Sequence, residues 1–174
     1  SQTLAGGTIV CPASPARGRA RPERLKVLAA MKHQQAETAL AELLTLSPAG
    51  LDLRTFAQQR NLSTAYCQQL VSKLDAEIVT SSASKLAIHR NRLDDYRQQI
   101  TSELNNWHQQ HPDQQAMPLS LLQRTLKPTP NPAITAVVLQ SISDEVEISK
   151  QTVRLKSATT TLPKSLQDLW RELE

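Results

Sequence analysis

A short basic segment near the start of the chain has the residues best suited to binding phosphate. One acidic residue, Glu23, lies among five basic ones: Arg17, Arg19, Arg21, Arg24 and Lys26. The whole chain has 20 basic and 16 acidic residues, so outside this basic segment 15 basic residues balance 15 acidic ones. Contacts to phosphate supply most of the non-specific affinity for nucleic acid. The basic segment is therefore the predicted nucleic-acid contact, and a solvated basic linker is the alternative.

Two histidines, His108 and His111, have a spacing that could hold a metal on one face of a helix. However, Pro112 stops the predicted helix, and no nearby Cys, Asp or Glu completes a tetrahedral set of ligands. We therefore predict no metal site and interpret both histidines as solvent-facing or capping residues.

The sequence lacks the motifs of common enzyme classes. It contains no Gly-rich phosphate loop, no nucleophile elbow and no Cys-x-x-Cys pair. Asp94 and Asp95, like the acidic group at 144–147, are interpreted as surface charge, because paired catalytic carboxylates need an enclosing pocket. Cys67 lies on an apolar helix face and is interpreted as a core residue. We expect no catalysis and no cofactor in this chain.

The stretch Leu51–His89 predicts the elements of a winged helix-turn-helix. Two helices are predicted from apolar residues at helical spacing: Leu53, Phe56 and Ala57, then Cys67, Leu70, Val71 and Leu74. Between them Asn61–Ser63 predicts a tight turn, in which Ser63 caps the second helix. Two strands around Ile78 and Leu86 follow, and a serine-rich tip joins them.

The same order of elements is predicted a second time. Helices from Pro22 and Ala36 precede the first helix-turn-helix. From Arg90 a long helix, two shorter helices and two strands follow, and Met117–Pro118 is predicted to open the first of the shorter helices. The apolar positions of the long helix are Leu93, Tyr96, Ile100, Leu104 and Trp107. This repeat of about 65 residues predicts a mainly α fold with small β wings, formed by tandem winged helix-turn-helix modules at 22–89 and 90–158.

Both ends of the chain predict further domains. Residues 1–21 are expected to contain the last strand of a preceding domain, at Thr8–Val10, and then the basic linker. Residues 159–174 are expected to begin a third module, because they carry an apolar stripe. The stripe consists of Leu166, Leu169, Trp170 and Leu173. An orphan strand and an unburied stripe indicate a fragment of a longer protein.

The composition predicts a cytoplasmic protein. The chain has two cysteines, and no apolar run approaches the roughly 20 residues of a membrane span. No signal peptide is recognisable at the start. We expect reduced thiols, no membrane partner and a monomer.

The predicted recognition surfaces carry little positive charge. The exposed side of the second helix of the first module shows Gln68, Gln69, Ser72 and Lys73, and the wing tip adds only Lys85. The wing of the second module carries three acidic residues: Asp144, Glu145 and Glu147. These surfaces favour a structural spacer or a protein-docking unit. A DNA-binding winged-helix transcriptional regulator is the alternative.

Several segments, in order along the chain, resemble the bacterial selenocysteine-specific elongation factor (SelB) family. They are Leu4–Gly7 with Val10 and Pro12, Pro22–Leu25 with Leu28, Ala49–Leu53 with Asn61–Ser63, and Trp107–His108 with His111–Pro112, Met117–Pro118 and Leu122. The sequence departs from the family at two positions. Ala116 replaces a glycine that commonly precedes Met-Pro, and Cys11 replaces an acidic residue.

This resemblance implies a function for the parent protein. The family is a GTPase that uses GTP and Mg²⁺ and carries selenocysteinyl-tRNA to the ribosome at a recoded UGA, while its last winged helix binds an mRNA hairpin. Residues 1–21 would include the end of a β-barrel domain. The fragment itself would be the arm between the two ends, touching ribosome or RNA through the basic segment. No individual GTP, tRNA or hairpin contact transfers to a residue of this chain.

Overall fold

The computed structural model describes residues 10–11, 17–18, 20–81, 84–114 and 116–157. Within these residues the chain forms seven helices and six short strands, so the predicted helix-rich fold with small antiparallel sheets is confirmed at that level. The strand predicted at Thr8–Val10 is described only at its last residue. The predicted third module at 159–174 lies outside the described residues.

The chain divides into two compact units, Ser1–Arg90 and Asn91–Glu174. The first unit contains α1 (Pro22–Met31), α2 (Ala36–Leu46), β1 (Leu51–Asp52), α3 (Leu53–Arg60), α4 (Thr64–Lys73), β2 (Ala76–Thr80) and β3 (Lys85–His89). Its three strands form an antiparallel sheet in the order β1-β3-β2. The strand β1 was not predicted, because two residues are too few to show an alternating pattern.

The turn between α3 and α4 follows from three adjacent residues. Asn61 adopts the left-handed conformation, with φ 51°, which ends α3. The Leu62 amide then donates to the Ala57 carbonyl at 2.9 Å. Ser63 caps α4, since its hydroxyl accepts from the Tyr66 amide at 3.2 Å. The predicted turn and its serine cap are therefore confirmed.

The core of the first unit is mainly aliphatic and includes the end of α1. Ala30 and Met31 of α1 are buried against apolar residues of α2, α3 and α4. The principal residues on those helices are Leu40, Leu43, Leu44, Leu53, Phe56, Cys67, Leu70 and Val71. Burying such side chains is the main stabilising contribution, at about 1.5–3 kcal/mol for each large one. The prediction that Cys67 is a core residue is confirmed.

Arg60, the last residue of α3, attaches the end of α1 to the rest of the unit. Its guanidinium donates to the carbonyls of Met31 at 2.9 Å, His33 at 2.7 Å and Gln34 at 2.9 Å. The carbonyls at the end of a helix lack partners within the helix, and a cation is the favoured group there. One side chain thus fixes the α1 C-terminus and the α1–α2 connection.

The second unit contains α5 (Arg90–Gln110), β4 (Met117–Pro118), α6 (Leu119–Thr125), α7 (Pro132–Ser141), β5 (Val146–Ser149) and β6 (Thr152–Leu155). Its strands form an antiparallel sheet in the order β4-β6-β5. Met117 and Pro118 were predicted to start a helix, and this detail was wrong. They pair with Val153 and Thr152 instead, and the helix begins at Leu119.

One face of α5 supplies the core of the second unit. Leu93, Tyr96, Ile100 and Leu104 are buried, as their spacing predicted. The Tyr96 hydroxyl donates to the Pro128 carbonyl at 2.8 Å. Gln99 accepts from the Lys127 amide and donates to its carbonyl. These bonds hold the Pro-rich α6–α7 connection against α5.

The two units repeat one order of elements. In each, a helix is followed by a two-residue strand, two helices and two longer strands, and the last strand lies between the other two in the sheet.

Replacing Arg60 tests the attachment of α1. We expect Arg60→Gln to lower the free energy of unfolding of the first unit by about 1–2 kcal/mol, because carbonyls lose a charged donor. The measurement is urea unfolding followed by labelling of the buried Cys67 thiol, in a Cys11→Ser background. Arg54→Gln removes the same charge from an exposed position of α3 and should cost less than about 0.5 kcal/mol. If Arg60→Gln and Arg54→Gln lowered the free energy of unfolding equally, Arg60 would not have the proposed role in attaching α1.

Candidate nucleic-acid interface

The basic segment lies partly on a helix and is not a linker throughout. Arg17 is exposed in the turn before α1, and Arg21 is the exposed N-cap residue of that helix. Arg24 and Lys26 lie within α1, whose C-terminal end is buried in the core. Arg19 lies outside the described residues. The structure therefore places two of the five predicted residues on α1 and a third at its N-cap.

Arg24 differs from the other basic residues of the segment. Its side chain is half-buried, and the guanidinium donates to the Cys11 sulfur at 3.1 Å. This contact directs Arg24 toward the residues that precede α1. We therefore separate it from the exposed cations in the description of the surface.

Lys32 extends the positive surface beyond the predicted segment. It is the exposed C-cap residue of α1, eleven positions after Arg21. Eleven residues are close to three helical turns of 3.6 residues, so helical spacing could have revealed this position. The sequence interpretation ended the cluster at Lys26, which five apolar residues, 27–31, separate from Lys32. We define the α1 surface as Arg17, Arg21, Leu25, Lys26 and Lys32.

The four cations of the α1 surface are exposed and form no ion pair with another described residue. Glu23 is the only acidic residue between Arg17 and Lys32. Leu25, which is 54% exposed, lies between Arg21 and Lys26. The surface thus combines available positive charge with a small apolar patch.

The exposed side of α4 carries mostly neutral groups. Tyr66, Gln69 and Ser72 are exposed, together with the one charged residue of the helix, Lys73. The Lys73 ammonium lies 3.9 Å from a carboxylate oxygen of Glu37 on α2, and both side chains are largely exposed. Such a pair is weak, yet it offsets the only positive charge on this face.

The corresponding helix of the second unit, α7, contains no charged residue. On the neighbouring sheet, the Arg154 guanidinium donates to the Glu147 carboxylate at 2.9 and 2.6 Å. The positive charge of Arg154 is therefore engaged with its neighbour on β5. Neither α4 nor α7 presents a cluster of available cations.

The histidine pair near the end of α5 has structural contacts. His108 is half-buried, and its Nε2 accepts from the Leu155 amide at 3.3 Å, so it is not solvent-facing. The His111 ring stacks on Trp107, with 4.0 Å between ring centroids. Its Nδ1 lies 3.3 Å from the Trp107 carbonyl, which suits a capping role. Among the described residues there is no group of three potential metal ligands.

A cleft of about 810 Å³ beside the end of α1 is lined by residues that include Lys32, His33 and Arg60. Its lining residues include no carboxylate, thiol or hydroxyl side chain, and the Arg60 guanidinium is occupied by carbonyls.

In the described part of the chain, no helix combines the length and apolar character needed to cross a bilayer.

His108 makes the second unit sensitive to acid. Burial lowers the pKa of His108 from its ordinary 6.5, and the nearby Arg154 lowers it further. The unfolded chain therefore binds this proton at higher pH than the folded protein does. We expect the free energy of unfolding to be highest above pH 6.5 and to decrease as pH falls through the interval between the two pKa values.

This dependence can be measured by urea unfolding, followed through Trp107 fluorescence in a Trp170→Phe background. In His108→Gln the loss of stability below pH 6.5 should be smaller. If the free energy of unfolding of His108→Gln had the same pH dependence as that of the parent, His108 would not be the cause of the acid sensitivity.

Comparison with known proteins supplies no identification. No protein-family model matches the sequence, and no curated protein matches it. The surfaces described above are therefore interpreted from their geometry and charge.

Proposed function

We propose that the chain is a pair of winged-helix modules that forms the arm of a selenocysteine-specific elongation factor. The arm would connect the GTP- and tRNA-binding part with the terminal module that binds the mRNA hairpin during selenocysteine incorporation at UGA, in the cytoplasm. Two facts support the fold assignment: the order helix, strand, helix, helix, strand, strand occurs twice, and both sheets have the same strand order. The SelB-like segments support the family assignment.

One observation favours a connecting arm over a module that recognises a base sequence. In a winged-helix module the second helix of the helix-turn-helix enters the groove and contacts the bases. Here α4 and α7 occupy that position. Because α7 has no charged residue and Lys73 of α4 lies near Glu37, neither helix offers the phosphate contacts that position a reading helix.

The fragment would connect the two parts of the parent protein and contact RNA, and it would catalyse no reaction of its own. GTP and Mg²⁺ would bind to the preceding part of the parent, and selenocysteinyl-tRNA and the hairpin to its other parts. The α1 surface would supply positive charge for contact with RNA of the ribosome.

The DNA-binding regulator remains the rival proposal. It requires α4 and the β2–β3 wing to bind DNA through Lys73 and Lys85. It therefore predicts steep salt dependence that is lost on charge reversal at these two lysines. The arm proposal predicts that Lys73→Glu with Lys85→Glu leaves nucleic-acid binding nearly unchanged.

Fluorescence anisotropy with two RNA hairpins tests the arm directly. One probe is the selenocysteine mRNA hairpin, and the other has the same stem length with a shuffled sequence. We expect the two Kd values to agree within about 3-fold, because sequence readers usually prefer their site by about 10³-fold or more. Nanomolar binding of the selenocysteine hairpin, selective by about 100-fold or more, would contradict the proposal.

A further inference from the structure

We propose that the α1 surface binds the phosphate backbones of double-stranded RNA without reading the base sequence. This proposal rests on the proposed function, since the arm of a translation factor works among folded RNAs. It goes further by naming the surface, the kind of RNA and the mode of contact.

The cations of the α1 surface are available for phosphate. Arg17, Arg21, Lys26 and Lys32 are exposed and form no ion pair with another described residue. Six other cations of the described chain are engaged, because Lys73, Arg90, Arg92, Arg97 and Arg154 lie next to carboxylates and Arg60 binds carbonyls. Arg124, Lys127 and Lys156 of the second unit are exposed without an ion pair to a described residue, and they serve as the control below. Since no neighbouring carboxylate must be displaced, a phosphate can bind at little electrostatic cost.

The spacing of the cations fits a double helix. Arg21 and Lys32 cap the two ends of α1, about 16 Å apart along the helix axis at about 1.5 Å per residue. Cations this far apart can contact the two backbones that border one groove. In A-form RNA the minor groove is wide and shallow, and proteins contact it mainly through sugar hydroxyls and phosphates. The partly exposed Leu25 lies between the two ends and suits the sugar edges of this groove.

The helix is fixed before it binds. Ala30 and Met31 are buried in the core, and Arg60 holds the carbonyls of residues 31, 33 and 34. A surface on a fixed helix loses little conformational entropy when it binds a rigid partner. This arrangement favours a duplex of regular shape over a flexible strand.

The composition of the surface argues against single-stranded RNA. Proteins that bind single strands combine positive charge with aromatic rings on which the bases stack. Residues 17–32 contain no Phe, Tyr or Trp. The α1 surface can therefore bind backbone, but it offers no aromatic ring for an unpaired base.

The test uses the full chain and an RNA duplex of about 20 base pairs with unrelated sequence, followed by fluorescence anisotropy. We expect duplex RNA to bind more tightly than a single strand of the same length or the matching DNA duplex. The slope of log affinity against log salt should be about −3, from three to four phosphate contacts. Arg21→Gln, Lys26→Gln and Lys32→Gln together should weaken binding about 10-fold or more at low salt and reduce the slope to about −1.

A matched control removes the same charge from the second unit. Arg124→Gln, Lys127→Gln and Lys156→Gln replace one arginine and two lysines that are exposed and form no ion pair with a described residue. This variant should keep the parental slope. Equal losses in the two variants, tighter binding of single-stranded RNA or DNA, or no duplex binding would overturn the inference. These outcomes leave the arm proposal standing, because that proposal fails through selective hairpin binding or through loss of binding on charge reversal at Lys73 and Lys85.

Discussion

The hydrogen bonds between the Arg60 guanidinium and the carbonyls after α1 determine how the basic residues are presented. They act together with the apolar packing of Val27, Ala30 and Met31 against the core. Arginines on a mobile segment would contribute positive charge, but their guanidinium groups would have no fixed positions. Because α1 is fixed, Arg21, Lys26 and Lys32 occupy defined positions on the first unit. The distances between their charged groups are therefore set by the helix.

The positive charge does not lie on the helices that would contact nucleic acid in the proposed winged-helix fold. Both units have the same order of helices and strands, yet α7 is uncharged and the charge of α4 lies beside Glu37. Positive charge is instead concentrated on a helix that precedes the repeated elements. Fold alone does not assign function, and here charge and fold indicate different surfaces.

Much of the fold could be predicted because it depends on local patterns. The helical spacing in α3, α4 and α5, the serine cap and the positions of β2 and β3 were all evident in the sequence. The two-residue strands β1 and β4 were not, because strand pairing across the chain defines them. The site was predicted in part: the cluster itself was evident, but the contact of Arg24 with Cys11 and the place of Lys32 on α1 depend on tertiary packing and helix phase.

Amide hydrogen exchange of the chain, with and without duplex RNA, tests the central claim most directly. The claim is that α1, and not α4 or α7, faces the RNA. It predicts slower exchange on binding in residues 20–34, with Thr64–Lys73 and Pro132–Ser141 unchanged. Protection of α4 and the β2–β3 hairpin, with α1 unchanged, would contradict the account and place the interface on α4.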